Sequence, residues 1–284
     1  MVQLSIIRRS ATGRSAVPRA PFAWLPGGVF TFAVLIMAAL FLVAPGSFAT
    51  KAHLALHGLC AQTPSHTFAL GGQPLPFDAR MTGIYTGFIV ACLWLVWRRR
   101  LASAALPSRP VGAVLLAFIA AMGVDGTNSL LLDLGLPHPY APHNLLRLET
   151  GVLAGVTLAA VLAYLAAATL WRSPREREAA VGGWGDLAAM TGLGLLVAVG
   201  IVVAPDWAYG LVVTMLLVSA VIVVSTVALV GLVMARRQEG RFGTFADLHW
   251  PAVTALVLGV LVMATISGAR LIAEVSAGLP LPVH

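Results

Sequence analysis

Four polar side chains recur at helical spacing inside an otherwise apolar stretch of the chain. Asp125, Ser129 and Asp133 are four residues apart, and Asn128 lies beside them. On an α-helix these positions form one stripe, and a rise of 1.5 Å per residue places Asp125 about 13 Å below its end. A carboxylate that deep among apolar side chains needs a partner. The stripe predicts a buried site, although a helix cap at Asp-Gly 125–126 or an ion pair for packing is an alternative.

A second polar group stands at the start of the next apolar stretch, where Asn144 is followed by Arg147 and Glu149. A guanidinium stays charged at physiological pH, so Arg147 needs an anion at this depth. Asp125, Asp78 or Glu149 could supply it, as could a phosphate or carboxylate of a ligand. An arginine that reaches the membrane interface by snorkelling is the alternative.

Two ion pairs are expected from the order of the residues. We predict that Arg147 or Arg80 neutralises Asp125. Arg80 is expected within one water-mediated contact of Asp125, Asn128 or Asn144. Arg270 and Glu274 are four residues apart in the last apolar stretch and can pair on one helical face.

The most specific local pattern lies upstream of these residues. It reads His57-Gly-Leu-Cys60-Ala-Gln62, and later Gly72-Gln-Pro-Leu-Pro-Phe-Asp78-Ala-Arg80-Met-Thr-Gly83-Ile-Tyr85-Thr-Gly87. Together with Asp-Gly-x-Asn at 125–128 and Asn-x-x-Arg-x-x-x-Gly at 144–151, it resembles domain-of-unknown-function family 2085, a family of uncharacterised prokaryotic membrane proteins. The resemblance covers roughly residues 50 to 160. It implies a membrane protein and supplies no reaction.

The chain departs from that family's pattern where its members carry cysteines, since Asp78 and Met81 stand there. A closed zinc site needs four nitrogen or sulfur ligands, and of the family's His/Cys set His57 and Cys60 remain. Carboxylates, amides and arginines suit phosphate, carboxylate or hard-cation recognition better. The candidate substrate-binding residues are therefore Asp78, Arg80, Tyr85, Asp125, Asn128, Asn144, Arg147 and Glu149, with His57, Cys60 and Gln62 as a secondary group in the outer loop. We predict no metal site, and the pattern identifies neither a catalytic residue nor a cofactor.

Composition places these residues in a membrane. Hydrophobic residues make up 59% and charged residues 10% of 284 positions, whereas soluble domains carry about 25% charged residues. Seven stretches approach or exceed the ~20 apolar residues that cross a bilayer: 27–45, 81–97, 110–134, 148–171, 187–204, 209–235 and 251–273. We predict an all-α bundle of seven transmembrane helices. Glycine pairs at 83/87 and 151/155 have the spacing that permits close helix contact.

Basic residues predict the orientation. Most of the 18 lysines and arginines fall in alternate connections, which is the positive-inside pattern. This puts the N-terminus in the cytoplasm and the C-terminus outside. We expect a basic cytoplasmic segment at 1–26 and a single transmembrane domain at 27–284, with a functional outer loop at 46–80. The net charge of +7 is thus a topology signal and does not indicate nucleic-acid binding.

Several membrane functions are excluded by residue type. A retinal protein needs a Schiff-base lysine, and the single lysine, Lys51, lies in an outer connection. Membrane haem needs facing histidines within spans, and the histidines here lie in loops, near interfaces or at the terminus. The chain has no Walker-type glycine loop.

The remaining interpretation is a polar cavity, open to the outer face, that binds or passes a small anionic or lipid-like molecule in transport or lipid handling. Two alternatives stay open: a non-catalytic subunit of a larger membrane complex, and a membrane enzyme acting on a lipid phosphate or prenyl-type substrate. The expected partners are the lipid bilayer and, for the first alternative, other membrane subunits. The expected location is the cytoplasmic membrane of a prokaryote, as a multi-pass protein.

Overall fold

A computed structural model describes residues 25–279 of the chain. Within these residues the α-helices are α1 (Leu25–Val43), α2 (Phe48–Leu56), α3 (Ala79–Trp97), α4 (Arg109–Asp133), α5 (Asn144–Leu170), α6 (Trp184–Val202), α7 (Tyr209–Ala235) and α8 (His249–Ser276). Short strands are β1 (Ala69–Leu70), β2 (Gln73–Pro74), β3 (Ser103–Ala105) and β4 (Arg175–Ala179), and 3₁₀ turns cover Pro64–His66, Asp206–Ala208 and Phe245–Leu248. Most of the predicted basic segment at 1–26 lies outside the described residues.

The helices confirm the predicted all-α membrane fold. Six of them, α3 to α8, are long and apolar enough to cross a bilayer. Helix α1 is bent by 116° from α2 and makes a seventh crossing when this pair is counted as one span. Its first turn lies beside the Phe245–Leu248 turn at one end of the bundle, and α2 packs on α7 and α8 at the other end.

The arginine-rich connections meet on one face of the bundle. Strand β3, in the α3–α4 connection, pairs in parallel with β4, in the α5–α6 connection. An isolated bridge joins Trp171 to Phe242 in the α7–α8 connection. We call this the inner face, following the positive-inside rule, and the opposite face the outer face.

Glycines bring α3 and α5 into close contact at the centre of the bundle. A Cβ atom on Gly83 would collide with the backbone carbonyl of Leu148, and one on Gly155 with the carbonyl of Ile84. The backbones can approach this closely because neither glycine carries a side chain. The packing predicted from the glycine spacing is confirmed, and it sets the depth of α3 against α5.

The first outer connection contains regular structure of its own. The region 46–80 contains helix α2, whose N-cap Ser47 accepts a hydrogen bond from the backbone N–H of Thr50. A hairpin follows, with Gly71 and Gly72 both at positive φ in its turn, a conformation that favours glycine. Helix α5 begins at Asn144, four residues before the predicted span.

Helix α4 runs unbroken past Gly126 to Asp133. The alternative in which Asp125 caps a broken helix is therefore wrong.

Candidate functional site

Asp125 forms a buried ion pair with Arg80. The Arg80 Nη2 donates to Asp125 Oδ2 at 2.6 Å, and the side chains are 24% and 2% exposed. The same nitrogen also donates to the Ser129 hydroxyl at 3.2 Å. Arg80 reaches this position because it lies in the first turn of α3, which the glycine contact holds against α5. The predicted neutralisation of Asp125 by an outer arginine is confirmed, and the arginine is Arg80.

Arg147 lies on the other side of Ser129 and makes no ion pair with the described residues. Its Nε donates to Ser129 Oγ at 3.4 Å, and its Nη1 donates to Asn144 Oδ1 at 2.8 Å. Arg147 is 5% exposed. The amide of Asn144 also donates to the backbone carbonyl of Ser65 at 3.2 Å. Asn144 therefore orients Arg147 and ties α5 to the first outer connection.

Tyr140, which the sequence analysis did not single out, covers the ion pair. Its hydroxyl donates to Asp125 Oδ1 at 3.1 Å. Asn128 holds the loop in place, because its Nδ2 donates to the Tyr140 carbonyl at 2.9 Å and its Oδ1 accepts from the Tyr140 N–H at 3.4 Å. Burial and the bond to Asp125 raise the pKa of Tyr140, so the hydroxyl remains a donor at neutral pH.

We call Arg80, Asp125, Asn128, Ser129, Tyr140, Asn144 and Arg147 the outer polar cluster. It joins α3, α4, α5 and the α4–α5 connection. Two guanidiniums face one carboxylate in it, and the buried Arg80 Nε has no hydrogen-bond partner within residues 25–279. The cluster therefore holds an excess of one positive charge.

Three of the predicted site residues lie apart from this cluster. Asp78 is the N-cap of α3, where its Oδ1 accepts from the Met81 N–H at 2.8 Å. Tyr85 stacks on Phe77 at 4.6 Å in an apolar core. Glu149 is exposed on α5 and makes no ion pair in the described part of the chain. Sequence alone could not separate them, since all three lie within five residues of a cluster member.

The secondary group in the outer loop forms a second cluster with α8. His57 Nε2 contacts Glu274 Oε2 at 2.6 Å, and His57 Nδ1 contacts Gln62 Oε1 at 2.9 Å. The Gln62 amide nitrogen donates to the carbonyls of His53 and Pro76, so its oxygen must face His57. His57 therefore donates from Nδ1 to Gln62, and its Nε2 faces the carboxylate of Glu274.

Arg270 completes this His57 cluster. Its Nε donates to Glu274 Oε1 at 2.7 Å, which confirms the pairing expected from their spacing. Its Nη1 donates to the backbone carbonyls of His57 and Cys60. The cluster fastens the first outer connection to the end of α8, which explains why a polar face occurs in that otherwise apolar helix.

Cys60 is buried beside the His57 cluster and accepts hydrogen bonds at Sγ from the N–H groups of Gln62 and Asp78, both at 3.3 Å. Burial raises the pKa of its thiol to about 12. Within residues 25–279, no group of three or more His, Cys, Asp or Glu side chains is arranged to hold a metal ion.

A cavity of about 680 Å³ lies at the other end of the bundle, among residues such as Phe88, Leu162 and Leu229. It differs from the predicted polar cavity in both lining and side, because its wall is apolar and it opens near the inner face. The outer polar cluster is a packed set of polar groups, covered by Tyr140.

Residues 60–161 match the model of a protein family described as "Predicted membrane protein (DUF2085)", which confirms the resemblance noted from the sequence. An uncharacterized protein of Methanocaldococcus jannaschii is 32% identical over 100 residues, which are 35% of this chain and 58% of that protein. The chain thus spans little more than half of that relative's length. No solved structure matches the chain. The family match includes the whole outer polar cluster, whereas His57, Arg270 and Glu274 lie outside it.

Proposed function

We propose that this integral membrane protein binds a phosphate or carboxylate group at the outer polar cluster. Binding there is the first step in passing or handling a small anionic or lipid-like molecule. The observation that carries the proposal is the excess positive charge: Arg80 and Arg147 converge on Ser129, and Asp125 offsets one of them.

The contacts of Arg147 supply the energetic argument. Its described partners, Ser129 and Asn144, are neutral, although the side chain is almost fully buried. Burying a charge without a counter-charge is unfavourable by several kcal/mol. An anionic ligand beside Arg147 would remove this penalty.

Arg80 and Tyr140 indicate how an anion reaches the cluster. Arg80 retains 24% exposure, and its buried Nε has no described partner. Tyr140 covers Asp125 from a connection that Asn128 holds by two hydrogen bonds. A movement of the α4–α5 connection would open the cluster to the outer side without disturbing the helices.

The donor set defines the chemistry of the ligand. A guanidinium presents paired N–H donors in a planar fork that matches a carboxylate or phosphate, and the Ser129 hydroxyl lies between the two forks. Phosphate can come from a free small molecule or from a lipid headgroup, and the two sources share this recognition chemistry.

The distribution of basic residues supports a position of the outer polar cluster on the non-cytoplasmic side. Arginine-rich connections lie on the opposite face of the bundle, and such connections face the cytoplasm. With the cytoplasmic membrane of a prokaryote as the proposed location, the ligand would arrive from outside.

The test measures stabilisation of the purified protein by inorganic phosphate and by acetate. A ligand at about 100 times its Kd stabilises the folded state by ~2.7 kcal/mol, which a thermal melt in detergent detects. Arg147→Gln should abolish this stabilisation, and Arg147→Lys should weaken it because lysine keeps the charge but loses the fork. Arg109→Gln is the matched control, since Arg109 is exposed at the inner end of α4.

The source of the anion is resolved by comparing soluble glycerol phosphate with vesicles that contain phosphatidylglycerol. Stabilisation by the soluble compound indicates a free metabolite, and stabilisation by the vesicles alone indicates a headgroup. If neither source stabilises the protein, or if Arg147→Gln responds as the unchanged protein does, the proposal is wrong. The cluster would then serve assembly with another subunit.

A further inference from the structure

The apolar cavity near the inner face lies between α1, α3, α5, α7 and α8. Its wall is almost entirely hydrocarbon, with Phe30, Ile89, Leu162 and Ile222 as examples. The volume of about 680 Å³ falls within the range of small-molecule binding pockets, about 300–1,000 Å³. An occupant must therefore be apolar over most of its surface.

The cavity extends over one leaflet of the membrane. Along α5 its lining runs from Ala159 to Leu170, next to the inner-face residue Trp171. Eleven residues of helix rise about 16 Å, and half of a ~30 Å hydrocarbon core is about 15 Å. The length therefore matches one alkyl chain that begins at the inner interface and ends near the bilayer centre.

An entrance lies beside the first turn of α1. Gly27 lines the cavity, and a Cβ atom on Gly27 or Gly28 would meet no atom of residues 25–279 within 4 Å. Helix α1 packs mainly on α8 and the Phe245–Leu248 turn, so the space toward α3 and α5 is left open. An alkyl chain from the surrounding leaflet would enter the cavity at this point.

The rim carries residues typical of a membrane interface, with a basic residue beside them. Trp171 donates from its indole nitrogen to the Leu101 carbonyl at 3.3 Å, and Trp at this level is typical of the membrane interface. His249 lines the cavity, and its Nδ1 donates to the Ala246 carbonyl at 2.7 Å, which leaves Nε2 available. Arg172 follows Trp171 directly, and basic residues at the cytoplasmic surface attract anionic lipids.

We propose that this cavity binds one alkyl chain of a phospholipid from the cytoplasmic leaflet, with its anionic headgroup at the Trp171–Arg172 rim. The proposal uses no residue of the outer polar cluster, so it stands or fails independently of anion binding there. Two other occupants are possible outcomes of the test: residues 1–24 of this chain, and a second copy of the protein.

Photo-crosslinking identifies the occupant directly. We place p-benzoylphenylalanine at Ile222, in the cavity wall, and as a control at Val218, one turn away on α7 and 48% exposed. The protein is reconstituted in nanodiscs of phosphatidylcholine with a minority of phosphatidylglycerol. At Ile222 the adduct should be a lipid, with phosphatidylglycerol enriched about fivefold over the bulk ratio, the preference that one arginine near the surface provides. At Val218 the adducts should follow the bulk ratio.

A cavity-filling variant supplies the second measurement. Ala166 lines the cavity, and Ala166→Phe should remove the lipid that remains bound through detergent washing, counted by native mass spectrometry. Ala168→Phe on the exposed face of the same helix should retain it. The proposal is overturned by a peptide adduct from residues 1–24 or from another copy, by the bulk lipid ratio at Ile222, or by unchanged lipid in Ala166→Phe.

Discussion

Asp125→Asn keeps the shape of the side chain and removes its charge, which leaves Arg80 without its ionic partner. The carboxylate accepts from Arg80 at 2.6 Å and from the Tyr140 hydroxyl at 3.1 Å. An asparagine oxygen can still accept from Arg80, so the loss is mainly electrostatic. We expect the variant to be folded and destabilised.

The geometry sets the size of this effect. Two unit charges about 4 Å apart interact by ~4 kcal/mol at an effective dielectric constant of about 20. Arg80 is 24% exposed, and water there screens part of the interaction. We therefore expect a coupling energy of ~1–3 kcal/mol between Asp125 and Arg80. Replacing one partner of a buried ion pair typically destabilises a protein by ~3–5 kcal/mol. This range is the upper limit for the destabilisation of each single variant.

A double-mutant cycle of Asp125→Asn and Arg80→Gln measures the coupling energy, with reversible unfolding of the protein in bicelles as the assay. The double variant should be less destabilised than the sum of the two single variants. Arg98→Gln is the matched control, because Arg98 pairs with Asp186 at 3.2 Å and lies about 27 Å along α3 from Arg80. Its combination with Asp125→Asn should be additive within about 0.5 kcal/mol. Equal additivity for Arg80 would refute the ion pair as the partner that stabilises Asp125.

Three further predictions test the topology, the outer loop and the helix packing. Cysteine at Ala61 should react with an impermeant maleimide from outside and cysteine at Ser173 from inside only; labelling of both from one side would contradict the assigned faces. Burial raises the pKa of the Cys60 thiol from its ordinary value of 9.0 to about 12. At pH 8 its thiolate is therefore roughly a thousandfold scarcer than that of an ordinary thiol, and its alkylation should be correspondingly slow. Any stability from this shift is present below pH 9 and is lost as the pH rises toward 12, because the unfolded thiol ionises first. Gly155→Ala should destabilise the protein by ~1–3 kcal/mol or more, because the added Cβ would collide with the α3 backbone. Gly200→Ala is the control and should be neutral or slightly stabilising, because its Cβ would meet no atom of the described residues within 4 Å. Similar melting temperatures for the two variants would contradict the close α3–α5 contact.

The choice of partner for Asp125 shows where sequence reasoning stops. The spacing of Asp125, Ser129 and Asp133 predicted a buried stripe. Asp125 and Ser129 are buried on one face of α4, whereas Asp133 is exposed at the end of the helix, so the prediction is wrong for that residue. Arg147 was the first candidate for the partner of Asp125 and Arg80 the alternative, because each begins a helix near the outer face. The structure assigns Arg80 to the carboxylate and Arg147 to Ser129, since the relative depth of α3 and α5 decides which guanidinium reaches which oxygen.

Tyr140 and Glu274 illustrate contacts that no local pattern contains. Tyr140 lies in a connection rich in proline and histidine. Its position over Asp125 depends on two hydrogen bonds between its backbone and the Asn128 side chain. Glu274 meets His57 across 217 positions of sequence. A helical period identifies neighbours within about one turn, so it could pair Glu274 with Arg270 and could not locate His57.

The sequence by itself determined the membrane fold and predicted the crossings and their sides, because bilayer thickness and the placement of arginines act on each segment separately. It also determined that Asp125 and Arg147 need partners, since a charge at that depth is unfavourable whatever the surrounding fold. The tertiary structure alone decided which partners they have and where empty space remains. Those outcomes depend on the glycine-mediated contact of α3 with α5 and on the position of α1 against α8. They could not be predicted because packing between distant segments leaves no repeating pattern in the sequence.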